Sequence, residues 1–387
     1  MDPKEIIAAN LRRLRDLRGI SQAELADEAE ISRVQLGDLE RGQVESPRSS
    51  TLSSLARALG VPIGEILRPA AVLQQVRFRS NDKLKSREAI ISDVARWLSD
   101  FNQLEDALNN KIPFSLDGAR EHATQESDTN KDSAIQKLAR DARKNLGRHQ
   151  LEPIYNICGL LESHGIKVYP IQLHNPGFFG LSVGIQDGGP AIIVNTWEKI
   201  SVERWIFSAA HELGHLLMHL SAYDVRQVEE DEQQEKEADT FAAYFLMPQE
   251  GFERLWNSTY GASFYQRVMR VKRVFYVSYA TVLMRLAEHP RLARGNPFAR
   301  FYTEYKREIG KTLGKVEEPD GISMATFRME SLASREPEHL GRYDFQENRL
   351  QTLVRKAVEE GEISMGRGAE ILRIPLTEMR ALTSSWS

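Results

Sequence analysis

Apolar residues recur at intervals of three and four along most of this chain, a spacing that places them on one face of a helix. The segment 205–220, WIFSAAHELGHLLMHL, predicts one such helix, and a second runs over 234–247 and ends at Pro248. A long amphipathic pattern over 86–108 predicts a third, which would be a dimerisation element or a spacer packed on a neighbouring domain. The chain is therefore expected to be mainly helical.

Shorter helical patterns follow one another from residue 6 to residue 67. Ser21 precedes one of these helices, and Glu24 three residues later completes the sequence pattern of a capping box. After a short turn another helix is predicted over 33–41, and two more follow over 51–67. Two short helices joined by a tight turn are the helix-turn-helix arrangement, whose second helix enters the major groove of DNA.

The helix predicted over 205–220 contains the pattern H-E-x-x-H, formed by His211, Glu212 and His215. Residues four apart lie on one face of a helix, so both imidazoles can bind the same metal ion. Glu212 lies beside them, where a carboxylate can take a proton from a water molecule at the metal. These residues are the minimal set for zinc-dependent peptide hydrolysis.

A catalytic zinc site usually takes three protein ligands. In the class whose third ligand is a more distant histidine, a glycine and that histidine would stand where this chain has Met218 and Ser221, so that class is excluded. The next helix supplies carboxylates instead. Glu235 and Asp239 are four apart, so one can bind the metal while the other accepts the free N–H of a ligand histidine. Glu237 is the rival ligand, but it lies about 200° around the helix from Glu235.

His219 and Tyr223 lie close to the H-E-x-x-H pattern, and the sequence does not assign either of them a single role. His219 continues the stripe of His211 and His215, but a third ligand on one straight helix would be awkward. It is expected to line the substrate cleft or to be a structural histidine. Peptide hydrolysis also needs a donor to the oxyanion, for which Tyr223 and His219 are the candidates.

The region from about residue 154 to Pro248 resembles the ImmA/IrrE family of bacterial metallopeptidases. The matching stretches are LLESHGIKVY, the strand AIIVN, ERWIFSAAHELGHLLMH and EKEADTFAAYFLMP. The resemblance implies a small α+β domain whose sheet packs on the H-E-x-x-H helix. It also implies Zn²⁺ as cofactor, held by the ligands His211, His215 and Glu235, with Asp239 behind them and Glu212 as general base. Such peptidases cut a helix-turn-helix repressor, often after stress or DNA damage.

The N-terminal segment GISQAELADEAEISRVQLGDLERGQ resembles the XRE-type repressor domain. The resemblance implies an all-α domain of five helices that binds double-stranded operator DNA as a homodimer. Gln22 would hold a phosphate, and the residues that would face base edges and backbone are Ser32, Arg33, Val34 and Gln35. Acidic and basic residues are about equally frequent over residues 1–68, whereas DNA-binding domains are usually basic. A helix-turn-helix used only for protein interaction is therefore the alternative.

Length and composition limit the domain organisation and the kinds of partner that the chain can have. The 387 residues are expected to form several domains: a helix-turn-helix domain (1–70), a helical connector with a polar linker (71–132), the peptidase (133–290) and a mostly helical sensor or interaction region (291–387). The net charge of −4 argues against a surface that binds polyanions over most of its area. The single cysteine, Cys158, lies in a helical pattern and is expected to be a buried structural thiol in a cytoplasmic protein without a membrane span.

Together these features predict a bacterial or phage regulator that joins DNA binding to site-specific proteolysis of a helix-turn-helix repressor, either itself or a partner. Two alternatives remain open. One is a non-enzymatic transcription factor that uses the peptidase fold as a sensor, although such a protein has no need of Glu212. The other is an antitoxin-like binding module, which would not need the metal ligands.

Overall fold

The computed structural model confirms a multidomain, mainly helical chain with one small sheet. It describes residues 2–67, 73, 76–80, 87–116, 131–175, 177–220, 223, 231–289, 291–292, 295–314, 317–319, 321, 337 and 339–386. The predicted polar linker over 121–132 and the acidic stretch over 224–230 lie almost wholly outside these residues. Within them, no helix has both the length and the apolar character needed to cross a membrane.

The N-terminal domain consists of five helices, as the sequence predicted. They are α1 (Pro3–Arg18), α2 (Gln22–Glu28), α3 (Arg33–Glu40), α4 (Ser49–Leu59) and α5 (Gly64–Leu67). The predicted capping box is present, because Ser21 Oγ accepts from the backbone N–H of Glu24 while the Glu24 carboxylate accepts from the backbone N–H of Ser21. Leu11, Leu25 and Leu36 are fully buried where α1, α2 and α3 meet, so this domain has an apolar core of its own.

The sheet has four strands in the order β1-β3-β4-β2. These strands are β1 (Val76–Ser80), β2 (Lys167–Ile171), β3 (Phe178–Val183) and β4 (Ala191–Asn195). Strands β2 and β4 are parallel, whereas β3 runs antiparallel to both β4 and β1. The outer strand β1 thus comes from the connector that follows the N-terminal domain.

Helices cover both faces of this sheet. In chain order, the helices that follow α5 are α6 (Arg87–Ala107), α7 (Lys131–Asn145), α8 (Ile157–Glu162), α9 (Val202–Met218), α10 (Glu232–Leu246), α11 (Gln249–Ser258), α12 (Phe264–Phe275), α13 (Tyr279–Glu288), α14 (Pro297–Ile309), α15 (Arg349–Glu359), α16 (Met365–Leu372) and α17 (Leu376–Ser384). Successive strand residues face opposite sides. Ile192 and Val194 pack in the core with α9 and α10, whereas Ile193 packs in the core with α6.

Helix α6 is a packed spacer within one chain. Its residues Ile90, Val94 and Phe101 are fully buried, and its core also contains apolar residues of α15, α16 and α17. Because α6 and α9 lie on opposite faces of the sheet, α6 does not cover α9. The C-terminal helices α15–α17 complete the same core, so they pack as part of the body of the protein.

A buried ionic cluster joins the N-terminal domain to this body. The carboxylate of Asp93 on α6 accepts from Arg13 of α1 at 3.1 Å, from Arg373 at 2.6 Å and from the Tyr169 hydroxyl of β2 at 3.2 Å. Burial opposes the charged form of Asp93, but Arg373 and Arg13 outweigh it and lower the pKa of this carboxyl. Arg96 of α6 forms a further ion pair with the N-terminal domain, through Glu65 of α5.

Two carboxyl groups meet at the contact between α8 and α15. Glu162 accepts from the backbone N–H groups of Asn348 and Arg349, each at 3.3 Å. Burial raises the pKa of Glu162 to about 7 in spite of those bonds. Burial and the neighbouring Glu162 raise the pKa of Glu347 to about 8. Both groups therefore hold protons in the folded chain at a pH where the unfolded chain has released them.

This difference predicts that the free energy of unfolding falls as the pH rises from about 5 to 8, because the folded state binds more protons than the unfolded state in that window. Glu347→Gln should flatten the fall and stabilise the protein at pH 8.5 by about 1 kcal/mol or more, the value of one pKa unit. Urea unfolding at several pH values measures this, with Glu360→Gln at an exposed position as the matched control. An equal pH dependence in wild type and Glu347→Gln would contradict it.

Candidate metal centre and nucleic-acid interface

Helix α9 carries the H-E-x-x-H residues through the middle of the core. Ser201 caps its first turn by accepting from the backbone N–H of Arg204 at 3.4 Å. The helix ends at Met218, two residues earlier than the pattern predicted, and His219 is its C-cap residue. His211 and His215 are both completely buried and Glu212 nearly so. The apolar face of α9 therefore holds polar groups that need partners inside the protein.

Helix α10 crosses α9 closely enough to supply those partners. Asp231 caps α10 by accepting from the backbone N–H groups of Gln233 and Gln234. At the crossing, a Cβ on Gly214 would lie 3.0 Å from the Phe241 ring, so a larger residue would push the helices apart. The absence of a side chain at Gly214 thus allows the two helices to approach and brings Glu235 to the two histidines.

The structure brings His211, His215 and Glu235 together, with ligand atoms that all lie within 4.8 Å of one another. The Nε2 atoms of His211 and His215 are 2.9 Å apart. Each of them lies 3.2 Å from a different oxygen of the Glu235 carboxylate. Glu237, the rival ligand, points to the other side of α10 and contacts His219 instead. The rotation about the helix axis separated these two glutamates as the sequence predicted.

The other nitrogen of each histidine is also engaged. His211 Nδ1 lies 2.7 Å from the Asp239 carboxylate, the partner that the sequence predicted. His215 Nδ1 lies 2.8 Å from His219 Nδ1, and His219 Nε2 lies 3.0 Å from Glu237. If His211 and His215 each carry their proton on Nδ1, His211 donates to Asp239 and His215 donates to His219. His219 then donates from Nε2 to Glu237, since the carboxylates can only accept. Both Nε2 atoms then keep their lone pairs for a metal ion.

Electrostatics agree with a neutral His215 beside a charged carboxylate. Burial, together with the neighbouring His211, lowers the pKa of His215 well below its usual value. Burial opposes the charged form of Glu235, but the neighbouring His211 and His215 outweigh it and hold the pKa of this carboxyl below its usual range. Neutral imidazole and ionised carboxylate are the forms that bind zinc.

Glu212 is held by residues outside its own helix. The Ser182 hydroxyl of β3 donates to the Glu212 carboxylate at 2.6 Å, and the same hydroxyl lies 2.6 Å from that of Tyr223. A Cβ on Gly180 would lie 2.8 Å from the carbonyl oxygen of Ile193 and 3.3 Å from Glu212. Strand β3 therefore passes directly over Glu212, and Tyr223 is two hydrogen bonds from its carboxylate.

Arg77 of β1 is a site residue that sequence reasoning missed. Its Nη2 atom donates to the Glu235 carboxylate at 2.9 Å, and its Nη1 atom donates to the Gln234 side chain. The contact joins residues 158 positions apart, so no local spacing could reveal it. The sequence shows only that several basic residues follow the N-terminal domain, among them Arg77 and Arg79, without indicating a partner for them.

The N-terminal end of α3 is the exposed part of the candidate DNA surface. Ser32 caps α3 by accepting from the backbone N–H of Gln35 at 3.1 Å. Arg33, Val34 and Gln35 are exposed, and Val34 keeps 72% of its surface accessible, which is unusual for an apolar side chain. Gln22 instead donates to the buried Glu40 at 2.6 Å, so a phosphate contact from this side chain would have to replace or share that bond.

Comparison with known proteins matches both regions. Residues 161–287 match the IrrE N-terminal-like domain, a peptidase family, and residues 11–66 match the helix-turn-helix family. An HTH-type transcriptional regulator of Sinorhizobium fredii is 38% identical over 69 residues, which are 18% of this chain and 88% of that protein. Control protein C.SmaI of Serratia marcescens is 37% identical over 67 residues, which are 17% of this chain and 79% of that protein.

The chain belongs to the XRE-type helix-turn-helix family and carries an IrrE N-terminal-like domain. Strands β2, β3 and β4 and helices α9 and α10 all fall inside the matched peptidase region. Strand β1, with Arg77, lies outside both matched regions. The IrrE-like domain therefore receives one of its sheet strands from the connector.

The residues of this IrrE-like domain fit a zinc ion. Two imidazole nitrogens and a carboxylate form a common catalytic ligand set, and zinc retains a fourth position for water or substrate. The tautomers that the hydrogen bonds favour leave both Nε2 atoms able to bind. The fit thus rests on the donor atoms and on the groups that orient them.

Removal of the third ligand is expected to abolish zinc binding. Glu235→Ala should reduce the zinc content from about one ion per chain to nearly none, because two histidines alone hold zinc weakly. Glu237→Ala is the matched control, since Glu237 lies two residues further along α10, on its other side, and contacts His219. It should lower the zinc affinity by about tenfold at most. Metal analysis after dialysis measures both, and greater loss in Glu237→Ala would mean that Glu235 is not the ligand.

The exposed end of α3 predicts the pattern of DNA recognition. Arg33→Ala and Gln35→Ala should relax sequence preference and weaken binding to the operator by about 1–3 kcal/mol. Arg12→Ala, on the exposed side of α1, should weaken all duplexes alike and reduce the salt dependence of binding. Titration of operator and random duplexes at several salt concentrations separates these effects. Equal loss on both duplexes for Arg33→Ala would exclude α3 as the recognition helix.

Proposed function

We propose that this chain is a DNA-binding transcription regulator whose IrrE-like domain is a zinc-dependent peptidase. The observation that carries the proposal is the convergence of His211, His215 and Glu235, with Glu212 one residue along the same helix. The carboxylates and His219 behind the ligands support it, because a purely structural helix has no need to orient two buried imidazoles.

Zinc bound by these residues would polarise the peptide carbonyl and make a water molecule more acidic. Glu212 would accept the proton of the attacking water and pass it to the nitrogen of the leaving amine. The hydrogen bond from Ser182 fixes the Glu212 carboxylate in one orientation. Burial of Glu212 keeps bulk water from competing for the transferred proton.

Tyr223 is the better of the two candidate donors to the oxyanion. Its hydroxyl lies beside Ser182, which contacts Glu212, so the phenol is on the same side of the site as the general base. His219 lies behind His215 and is engaged by Glu237 on its far side. His219 therefore acts by orienting His215.

The proposed substrate is a protein with a helix-turn-helix repressor domain, either another copy of the N-terminal domain or a partner repressor. The helix-turn-helix domain would bring the peptidase to an operator, as part of a homodimer that reads two half-sites. Cleavage of the repressor in response to stress, DNA damage or a phage would then change transcription. The support is the fusion of both regions in one chain, with α1 packed on α6.

Glu212→Gln is the decisive variant for enzymatic function. It should retain about one zinc ion per chain, since Glu212 is not among the ligands, yet lose at least about 10²-fold in cleavage rate. The zinc-loaded chain is incubated with its own residues 1–70 and with helix-turn-helix repressors encoded nearby, and fragments are identified by mass spectrometry. Fragments that form equally fast with Glu212→Gln would exclude Glu212 as the base. No cleavage by either protein would favour the non-enzymatic sensor.

A further inference from the structure

Strand β1 occupies the outer edge of β3. The pairing is antiparallel, with Arg77 opposite Ser182 and Arg79 opposite Gly180. The other edge of β3 is paired with β4. The backbone groups of β3 that an additional strand could use are therefore already taken by the connector.

An extended peptide at that edge would reach the candidate active site. Ser182 donates to Glu212, and Gly180 lies against the same carboxylate. An extended peptide adds to an exposed strand by main-chain hydrogen bonds. A peptide paired with β3 would run past Glu212 and the metal ligands, and it would need the position that β1 fills.

Arg77 adds a side-chain contact with a candidate metal ligand to the backbone pairing of β1 with β3. Its guanidinium contacts the Glu235 carboxylate, and its own side chain is only 10% exposed. An ion pair with a largely buried carboxylate anchors a strand more firmly than pairing of the backbone alone. Strand β1 thus blocks the edge and also places a cation beside the candidate zinc ligand.

We propose that β1 is an intramolecular blocking strand, which holds the substrate-binding edge of the peptidase closed until another extended peptide displaces it. The proposal rests on the proposed peptidase function for the identity of the displaced ligand, an extended segment of a protein substrate. Strand β1 begins nine positions after α5 ends, so the blocking strand is tethered to the DNA-binding domain.

The experiment uses the full chain freed of zinc, so that binding is measured without cleavage. The probe is a fluorescein-labelled peptide with the sequence QQVRFRSND, residues 74–82 of the chain itself. The double variant Phe78→Pro/Arg79→Pro removes two adjacent N–H groups, of which one must face β3. Ser49→Pro is the matched control, because proline is tolerated at the first position of a helix and Ser49 is exposed there.

The double variant should bind the peptide at least about tenfold more tightly than wild type or Ser49→Pro. Amide hydrogen exchange of residues 178–183 should be faster in the double variant and slow again when the peptide is added. Arg77→Ala, which leaves the backbone intact, should raise the affinity to a smaller extent. Arg77→Ala decides the question if the double variant does not fold, as judged by circular dichroism.

Equal peptide affinity in wild type, Arg77→Ala and the double variant would overturn the proposal. Peptide binding that leaves the exchange of residues 178–183 unchanged would also overturn it, because the peptide would then bind elsewhere. A zinc-loaded wild-type chain that cuts itself within residues 76–80 would show β1 to be a substrate and not a block. None of these binding results depends on catalysis, so a failure of the peptidase proposal would appear separately in the Glu212→Gln assay.

Discussion

Asp93 lies at the point where four parts of the chain meet, and its charge is buried. Arg13 of α1, Tyr169 of β2 and Arg373 from the turn between α16 and α17 all contact its carboxylate. An uncompensated buried charge costs several kcal/mol, so none of these elements can leave without a penalty to the others. The position of the helix-turn-helix domain relative to the IrrE-like sheet is fixed by this requirement as much as by apolar contacts.

The same constraint governs the candidate metal centre. Buried imidazoles need partners, and α10 supplies Asp239 for His211 while His219 and Glu237 continue the contact from His215. Lys131 of α7 in turn contacts Glu237 at 2.7 Å, so that carboxylate is charge-balanced. Each of these outer groups fixes the orientation of the next. The candidate ligands His211 and His215 are therefore oriented by hydrogen bonds and an ion pair that reach as far as α7.

The two regions of the chain are coupled through the connector. The segment after the helix-turn-helix domain provides β1 to the sheet and Arg77 to Glu235, and then forms α6 on the opposite face of that sheet. One short stretch of chain thus contacts the DNA-binding domain, the candidate active site and the core shared with α15–α17. Under the proposed function, such a path would let an event at one site change contacts at the other.

The sequence by itself determined what depends on local spacing. The i, i+4 relation placed His211 and His215 on one face of α9, the rotation per residue separated Glu235 from Glu237, and the Ser21–Glu24 pair marked the start of α2. Each of these follows from helix geometry alone, which is the same in every protein.

Only the tertiary structure decided which distant residues meet. Arg77 reaches Glu235, Ser182 holds Glu212 and Arg373 reaches Asp93 across separations of 158, 30 and 280 residues. These contacts depend on which faces of the sheet and helices pack together, and a sequence pattern specifies that a face is apolar without specifying its partner. The strand β1 illustrates the limit, because its pairing with β3 arises from topology and not from any periodicity within its five residues.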